Sequence, residues 1–132
     1  MNAVKDLLKS GKTVVGTAGS VFEDNMSMLG DSGFDFILFD TQHSAVEVKQ
    51  YNRAVKALSG TKAAPIVRVS ANRADLICFA LDIGARGIIV PMVNTRKRQK
   101  QWSGPVNILR LETEATQVFV VNGEKQVIIE VI

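Results

Sequence analysis

Three polar side chains that could do chemistry lie at or near the ends of apolar stretches. Asp40 ends the run FDFILFD, His43 follows it by three residues and is the only histidine, and Arg68 lies near the end of APIVRV. An arginine can bind a carboxylate through two parallel hydrogen bonds, and a histidine can act as a general base near neutral pH. Asp40 could hold the imidazole or an ordered water. Each residue also has a plainer interpretation, namely a turn cap, a surface histidine and a structural ion-pair partner.

The elements that must position these residues follow a strand–helix repeat. Apolar and β-branched stretches predict strands at 13–19, 34–40, 64–69 and 87–93. Helical spacing of apolar residues predicts helices at 2–11, at 21–33, from Ser44 to about Gly60 and from Asn72 to Gly84. In the third helix, Ser44 and Glu47 have the form of a capping box, with Ser44 as the N-cap.

Strands without polar alternation, separated by helices, predict a parallel sheet that is covered on both faces. The candidates are a (β/α) barrel and an open doubly wound sheet, and the sequence has neither of the glycine-rich nucleotide-binding motifs. In such folds ligands bind at the carboxyl ends of the strands. We therefore expect Asp40, His43 and Arg68 to lie at one edge of the sheet.

The composition is that of an ordinary soluble protein. The 132 residues are 46% hydrophobic and 22% charged, with a net charge of +3. No apolar stretch approaches the roughly 18 residues of a membrane span, and the start has no signal-peptide pattern. The lone Cys78 is expected to pack on a buried helix face, and a single cysteine suits a cytoplasmic location.

The pattern changes after Thr95. The run RKRQK at 96–100 is expected to be a solvated basic segment rather than a nucleic-acid site, because no aromatic residue is interleaved in it. Further strands are predicted in NILRL, QVFVV and KQVIIEVI. We expect one domain over 1–132, with a shortened or divergent part at 96–132.

Three strand-end motifs, FDFILFDTQHS, APIVRVS and LDIGARGIIVPMVNT, resemble in order and spacing the metal-dependent class II pyruvate aldolases. That family includes the 2-keto-3-deoxy-sugar-acid aldolases, the 2,4-dihydroxyhept-2-ene-1,7-dioate aldolases and macrophomate synthase, with the citrate lyase β-subunits as distant relatives. The resemblance covers about residues 2–95. It implies a (β/α)₈ TIM barrel, of which this chain would form the first four to five βα units.

The resemblance also implies roles for individual residues. His43 would be the catalytic base beside Asp40, and Arg68 would bind the carboxylate of a keto acid. A divalent metal, Mg²⁺ or Mn²⁺, would stabilise a pyruvate enolate, with Glu130 as a ligand unless the register places Ile132 there. Gln42 stands where the family motif has a glutamate. The implied reaction cleaves a 2-keto-3-deoxy or 4-hydroxy-2-keto acid to pyruvate and an aldehyde.

The same resemblance leaves the activity of this chain open. The second metal ligand is implied on a sixth strand, beyond Ile132, so the metal is not necessarily bound by this chain alone. An incomplete barrel would have an open sheet edge. We therefore keep two expectations: an aldolase that works as a homo-oligomer without membrane or nucleic-acid partners, or an inactive remnant that binds a partner chain through that edge.

Overall fold

The fold is built on one six-stranded sheet with helices between its first four strands. The structure, a computed structural model, describes residues 3–22 and 24–91 and the strand backbones at 116–121 and 126–131. Its helices are α1 (Ala3–Lys9), α2 (Met26–Gly30), α3 (Asn52–Ala57, preceded by a 3₁₀ turn at Val48–Tyr51) and α4 (Ala74–Asp82). Its strands are β1 (Gly16–Ala18), β2 (Phe36–Asp40), β3 (Ala64–Arg68), β4 (Gly87–Ile89), β5 (Thr116–Val121) and β6 (Gln126–Val131).

The strand order is β1-β2-β3-β4-β6-β5. The first four strands are parallel to one another and β6 is parallel to β4, whereas β5 runs antiparallel to β6. The predicted α/β sheet with parallel strands is therefore confirmed, and QVFVV and KQVIIEVI contribute β5 and β6. The segments RKRQK and NILRL lie outside the described residues.

Both faces of the central strands are buried, as their apolar sequences predict. Alternate residues on one face pack against α2, α3 and α4. This helix-covered core includes the side chains Ile37, Phe39, Val67, Val69, Ile88 and Val90. On the opposite face, Val4 of α1 packs with Ile66 and Ile89. Because Arg68 is paired in register with Ile89, it lies on the same face as this second, smaller cluster.

Several local predictions were wrong. The capping box is formed by Glu47 and Gln50, three residues later than predicted, so helical structure begins at Val48 rather than after Ser44. The fourth helix begins at Ala74 rather than at Asn72, and its N-cap is Arg73, without a side-chain hydrogen bond. Cys78 is exposed, because α4 buries Ile77 and Ala80 and turns the cysteine outward.

The second helix is also shorter than predicted. Among the described residues of the predicted 21–33 segment, only Met26–Gly30 is helical, and no side chain caps its amino-terminal end. Of its two methionines Met26 is buried, whereas Met28 is 72% exposed. In the described ranges, no helix has the length and hydrophobicity needed to cross a bilayer.

Candidate active site

The carboxyl ends of β2 and β3 bring two of the predicted site residues into contact. The sheet register pairs Asp40 with Arg68, so the two side chains project from adjacent strands on the same face. Arg68 Nε donates to Asp40 Oδ1 at 2.8 Å, and Arg68 Nη2 donates to Asp40 Oδ2. This is a two-point arginine–carboxylate pair, which fixes both the position and the plane of the guanidinium group.

The pair is shielded but still reached by solvent. The Arg68 side chain is 18% exposed and that of Asp40 is 28% exposed. Hydrogen bonds from Arg68 outweigh the effect of burial and lower the pKa of Asp40 from 3.8 to about 2. The same hydrogen bonds raise the pKa of Arg68. Both groups are therefore charged at neutral pH, and Asp40 is a poor proton acceptor there.

Arg68 keeps donors for a second partner. A guanidinium group has five N–H bonds, and Asp40 uses two of them. Among the described residues, the only recorded side-chain partner of Arg68 is Asp40. Within the described residues, three N–H bonds of this oriented guanidinium are thus left for an incoming carboxylate or carbonyl oxygen.

The third predicted residue, His43, lies in the turn that follows β2 and is exposed. The turn is built around Asp40. The backbone N–H of Gln42 donates to Asp40 Oδ1 at 2.9 Å, and the backbone N–H groups of Gln42 and His43 both help lower the pKa of this carboxylate. One carboxylate therefore binds Arg68 and shapes the turn that carries His43. The sequence-based idea that Asp40 holds the imidazole itself has no recorded contact in the described part of the chain.

Thr41 was not predicted as a site residue. It is 5% exposed, and both its backbone N–H and its hydroxyl donate to the carbonyl of Arg68, at 2.9 and 2.7 Å. These bonds extend the β2–β3 pairing by one residue beyond Asp40. They fix the backbone of Arg68 and so the position from which its guanidinium group projects. In the sequence, the feature that could have indicated this role is a threonine directly after the aspartate that ends a strand.

Tyr51 lies in the segment predicted as the third helix and was not predicted as a site residue. It is 5% exposed, its ring lies 5.1 Å from that of Phe39, and its hydroxyl donates to the carbonyl of Asp40 at 3.1 Å. Burial raises the pKa of the phenol. The hydroxyl of Ser44 donates to the same carbonyl at 2.8 Å. A buried tyrosine needs a hydrogen-bond partner for its hydroxyl. This requirement was the feature of the sequence that could have indicated a structural role for Tyr51.

The match to known proteins agrees with this site. The sequence profile of the HpcH/HpaI aldolase/citrate lyase family matches residues 20–130, which include both strand ends and the turn between them. The chain belongs to this family. The resemblance inferred from the three strand-end motifs is therefore confirmed at the level of the family.

Individual relatives show how much of a whole protein the chain represents. A hydroxypyruvate/pyruvate aldolase of Roseobacter denitrificans is 34% identical over 102 residues, which are 76% of this chain and 40% of that protein. The crystal structure of an HpcH/HpaI aldolase from Desulfitobacterium hafniense superposes with a TM-score of 0.65 at 26% identity, covering 74% of this chain and 39% of the other. The citrate synthase SbnG superposes with a TM-score of 0.60 at 34% identity, covering 74% of this chain and 40% of the other. The chain thus spans about two fifths of the length of these relatives.

The likeness to solved aldolase structures supports the predicted fold class. The parallel strands alternate with helices as in the barrel-type structures of the HpcH/HpaI family, and the chain corresponds to part of such a fold. The predicted boundary near residue 95 and the roles of His43, Asp40, Arg68 and Glu130 stay predictions.

The described residues do not fit a divalent metal by themselves. No group of three histidine, cysteine, aspartate or glutamate side chains comes together within the described ranges. Asp40 is occupied by Arg68, and Gln42 stands in the place of the glutamate that the resemblance implies. Glu130 lies in β6, of which only the backbone is described, so its role as a ligand stays a prediction. A metal site of the HpcH/HpaI type would need ligands beyond the described side chains.

Proposed function

We propose that this chain forms the keto-acid-binding part of an aldolase, a carbon–carbon lyase that releases pyruvate from a 2-keto-3-deoxy or 4-hydroxy-2-keto acid. The observation that carries the proposal is the oriented Arg68–Asp40 pair at the carboxyl ends of β2 and β3, with His43 in the adjoining turn. Ligands of parallel α/β folds bind at this end of the sheet. The membership in an aldolase family supports the reaction class.

Arg68 would bind the carboxylate of the keto acid. Because Asp40 offsets the charge of Arg68, Arg68 would contribute to binding mainly by orienting the substrate. The remaining N–H donors of its planar guanidinium would hydrogen-bond to the substrate carboxylate. Because Asp40 and Thr41 hold the guanidinium and its backbone, little conformational freedom is lost when the substrate binds. This orientation would place the bond to be cleaved in a defined position relative to the turn after β2.

His43 would act as the general base. In the cleavage, a base takes the proton of the C4 hydroxyl, the C3–C4 bond breaks, an aldehyde leaves, and the bond electrons form the enolate of pyruvate. The enolate then takes a proton at C3 to give pyruvate. His43 is exposed in a turn that Asp40 organises, so it can reach a ligand without rearrangement of the sheet. Asp40, with its lowered pKa, serves as a positioning residue in this scheme.

No step above is assigned to the divalent metal that the resemblance implies, Mg²⁺ or Mn²⁺, because the described residues do not by themselves assemble a site for it. The cytoplasmic location, the small keto-acid substrate and the homo-oligomeric state expected from the sequence belong to the same proposal.

A coupled pyruvate assay tests the proposal, with 4-hydroxy-2-keto acids as substrates in the presence and absence of Mn²⁺. We expect Arg68→Lys to raise KM about tenfold or more, because lysine keeps the charge but loses the two-point fork. His43→Asn should lower kcat about 100-fold. Arg73→Lys is the matched control, since Arg73 makes a similar two-point pair with Asp75 but is 63% exposed. Equal kinetics for wild type, Arg68→Lys and His43→Asn would refute the proposal.

A second candidate function is that of an interaction subunit, as the sequence also allowed. Two observations favour it: β1 lies at the end of the described strand order, and Val15 beside it is 57% exposed. An unpaired strand edge can add a strand from another chain. Size-exclusion chromatography with light scattering tests it, and a monomer at all concentrations would argue against pairing with a second copy.

A further inference from the structure

The carbonyl oxygen of Asp40 accepts hydrogen bonds from two hydroxyl groups. Neither hydroxyl has a role in the chemistry proposed above. Ser44 Oγ donates to it at 2.8 Å and Tyr51 Oη at 3.1 Å. This carbonyl is the last one of β2, directly before the turn that contains His43. The bond from Ser44 closes that turn from within, and the bond from Tyr51 attaches the following 3₁₀ turn to the same point of the sheet.

Tyr51 is suited to act as a rigid anchor. Its ring is buried against Phe39, whose own side chain is fully buried in the helix-covered core. A tyrosine has only two side-chain torsions, and both are fixed when the ring packs in one orientation. The hydroxyl therefore holds the end of β2 in a fixed position relative to the buried core. Along the chain, His43 lies between the anchored carbonyl and this anchor.

We propose that Tyr51 and Ser44 are positioning residues for His43, and that their two hydrogen bonds to the Asp40 carbonyl hold the turn in the geometry that the base needs. The inference rests on the proposed function, in which His43 takes a proton from the substrate. Neither hydroxyl touches the substrate in this scheme. Their effect is exerted through the backbone of residues 40–44 alone.

The test uses the fact that His43 is the only histidine and Tyr51 the only tyrosine in the sequence. The imidazole signals in a ¹H–¹³C NMR spectrum of the full chain can therefore be assigned to His43 without further experiments. Tyr51→Phe keeps the ring and removes only the hydroxyl. We expect the His43 signals to shift and broaden in Tyr51→Phe and in Ser44→Ala. In Ser32→Ala, which removes a similar hydroxyl-to-carbonyl bond of 2.6 Å to Leu29 at the end of α2, they should stay unchanged.

Measurements of kcat and KM distinguish a positioning role of Tyr51 and Ser44 from a purely structural one. Tyr51→Phe should lower kcat about tenfold while KM, which Arg68 determines, changes less than about twofold. In a His43→Asn background, Tyr51→Phe should lower the residual rate no further. Ser44→Ala serves the same test should Tyr51→Phe fail to fold, because Ser44 is exposed.

Unchanged His43 signals together with an unchanged kcat in both variants would overturn the inference. A shift of the His43 signals in a chain that releases no pyruvate from any substrate would support the positioning of His43 and refute the proposed function. A loss of kcat that persists in the His43→Asn background would show that the hydroxyls act elsewhere, and would also overturn it.

Discussion

Replacing Asp40 with asparagine removes one charge from the centre of the candidate site while keeping the shape of the side chain. Arg68 then loses its counter-charge, and its Nη2 faces an amide group in place of a carboxylate oxygen. The turn amides of Gln42 and His43 lose a charged acceptor. We expect Asp40→Asn to lower the free energy of unfolding at pH 7 and to remove the dependence on pH that Asp40 contributes.

The magnitude follows from the pKa of Asp40. A fall from 3.8 to about 2 sets an upper limit of about 2.4 kcal/mol, at about 1.36 kcal/mol for each pKa unit. Because the side chain is still 28% exposed, water screens part of this interaction, and we expect a loss of about 1–2 kcal/mol. A carboxylate with a lowered pKa stabilises the folded state above its ordinary pKa. This stabilisation is lost as the pH falls toward 2, and about half of it is gone near pH 3.

Urea unfolding followed by circular dichroism measures the difference between wild type and Asp40→Asn at pH 7, 4, 3 and 2. The difference should be largest at pH 7 and close to zero at pH 2. Asp75→Asn is the matched control, since the Asp75–Arg73 pair has a similar two-point geometry but its side chains are 46% and 63% exposed. It should change stability less than Asp40→Asn does. A constant difference for Asp40→Asn from pH 2 to pH 7 would refute the assignment of this stabilisation to the carboxylate charge.

Three further predictions concern the elements around this pair. Gly19→Ala should cost about 1–3 kcal/mol in urea unfolding, because a Cβ atom there would lie 2.6 Å from the buried ring of Phe39; an unchanged midpoint would contradict the packing. Thr41→Val should cost about 1 kcal/mol by the same measurement, since it removes the hydroxyl bond to the Arg68 carbonyl and keeps the volume; full wild-type stability would argue against that bond. Burial raises the pKa of Tyr51, so the neutral phenol stabilises the folded state below pH ~10. This contribution is lost as the pH rises further and the phenol ionises. Absorbance titration of this single tyrosine should give a midpoint above 10, and a lower midpoint would contradict the burial.

Much of the fold could be predicted because the strands are apolar on both faces. The segments 34–40 and 64–69 contain β2 and β3, and their parallel pairing follows from the helices between them. Helix boundaries were harder. Ser44–Glu47 has the residue types of a capping box, whereas Glu47 is not a usual N-cap residue. The observed start depends on tertiary contacts instead: Ser44 donates to the Asp40 carbonyl, and Val48 is buried.

The same distinction applies to the candidate site. The topology placed Asp40 and Arg68 at one end of the sheet, since both follow apolar runs in parallel strands. Their direct pairing depends on the register between β2 and β3, which no local pattern specifies. The exposed position of Cys78 depends on which side of α4 meets the sheet, and the segment LICFAL is apolar on all sides.

Asp40 connects the two groups that the proposed chemistry needs. Its carboxylate binds Arg68 and the turn amides, and its carbonyl accepts the hydroxyls of Ser44 and Tyr51. A loss of activity in Asp40→Asn would therefore follow whether Asp40 transfers a proton or only holds its neighbours. Its pKa of about 2 favours the second role, because a carboxylate so acidic holds few protons at neutral pH. Tyr51→Phe leaves that carboxylate charged and disturbs only the carbonyl side, so comparison of the two variants separates the orientation of His43 from the charge on Asp40.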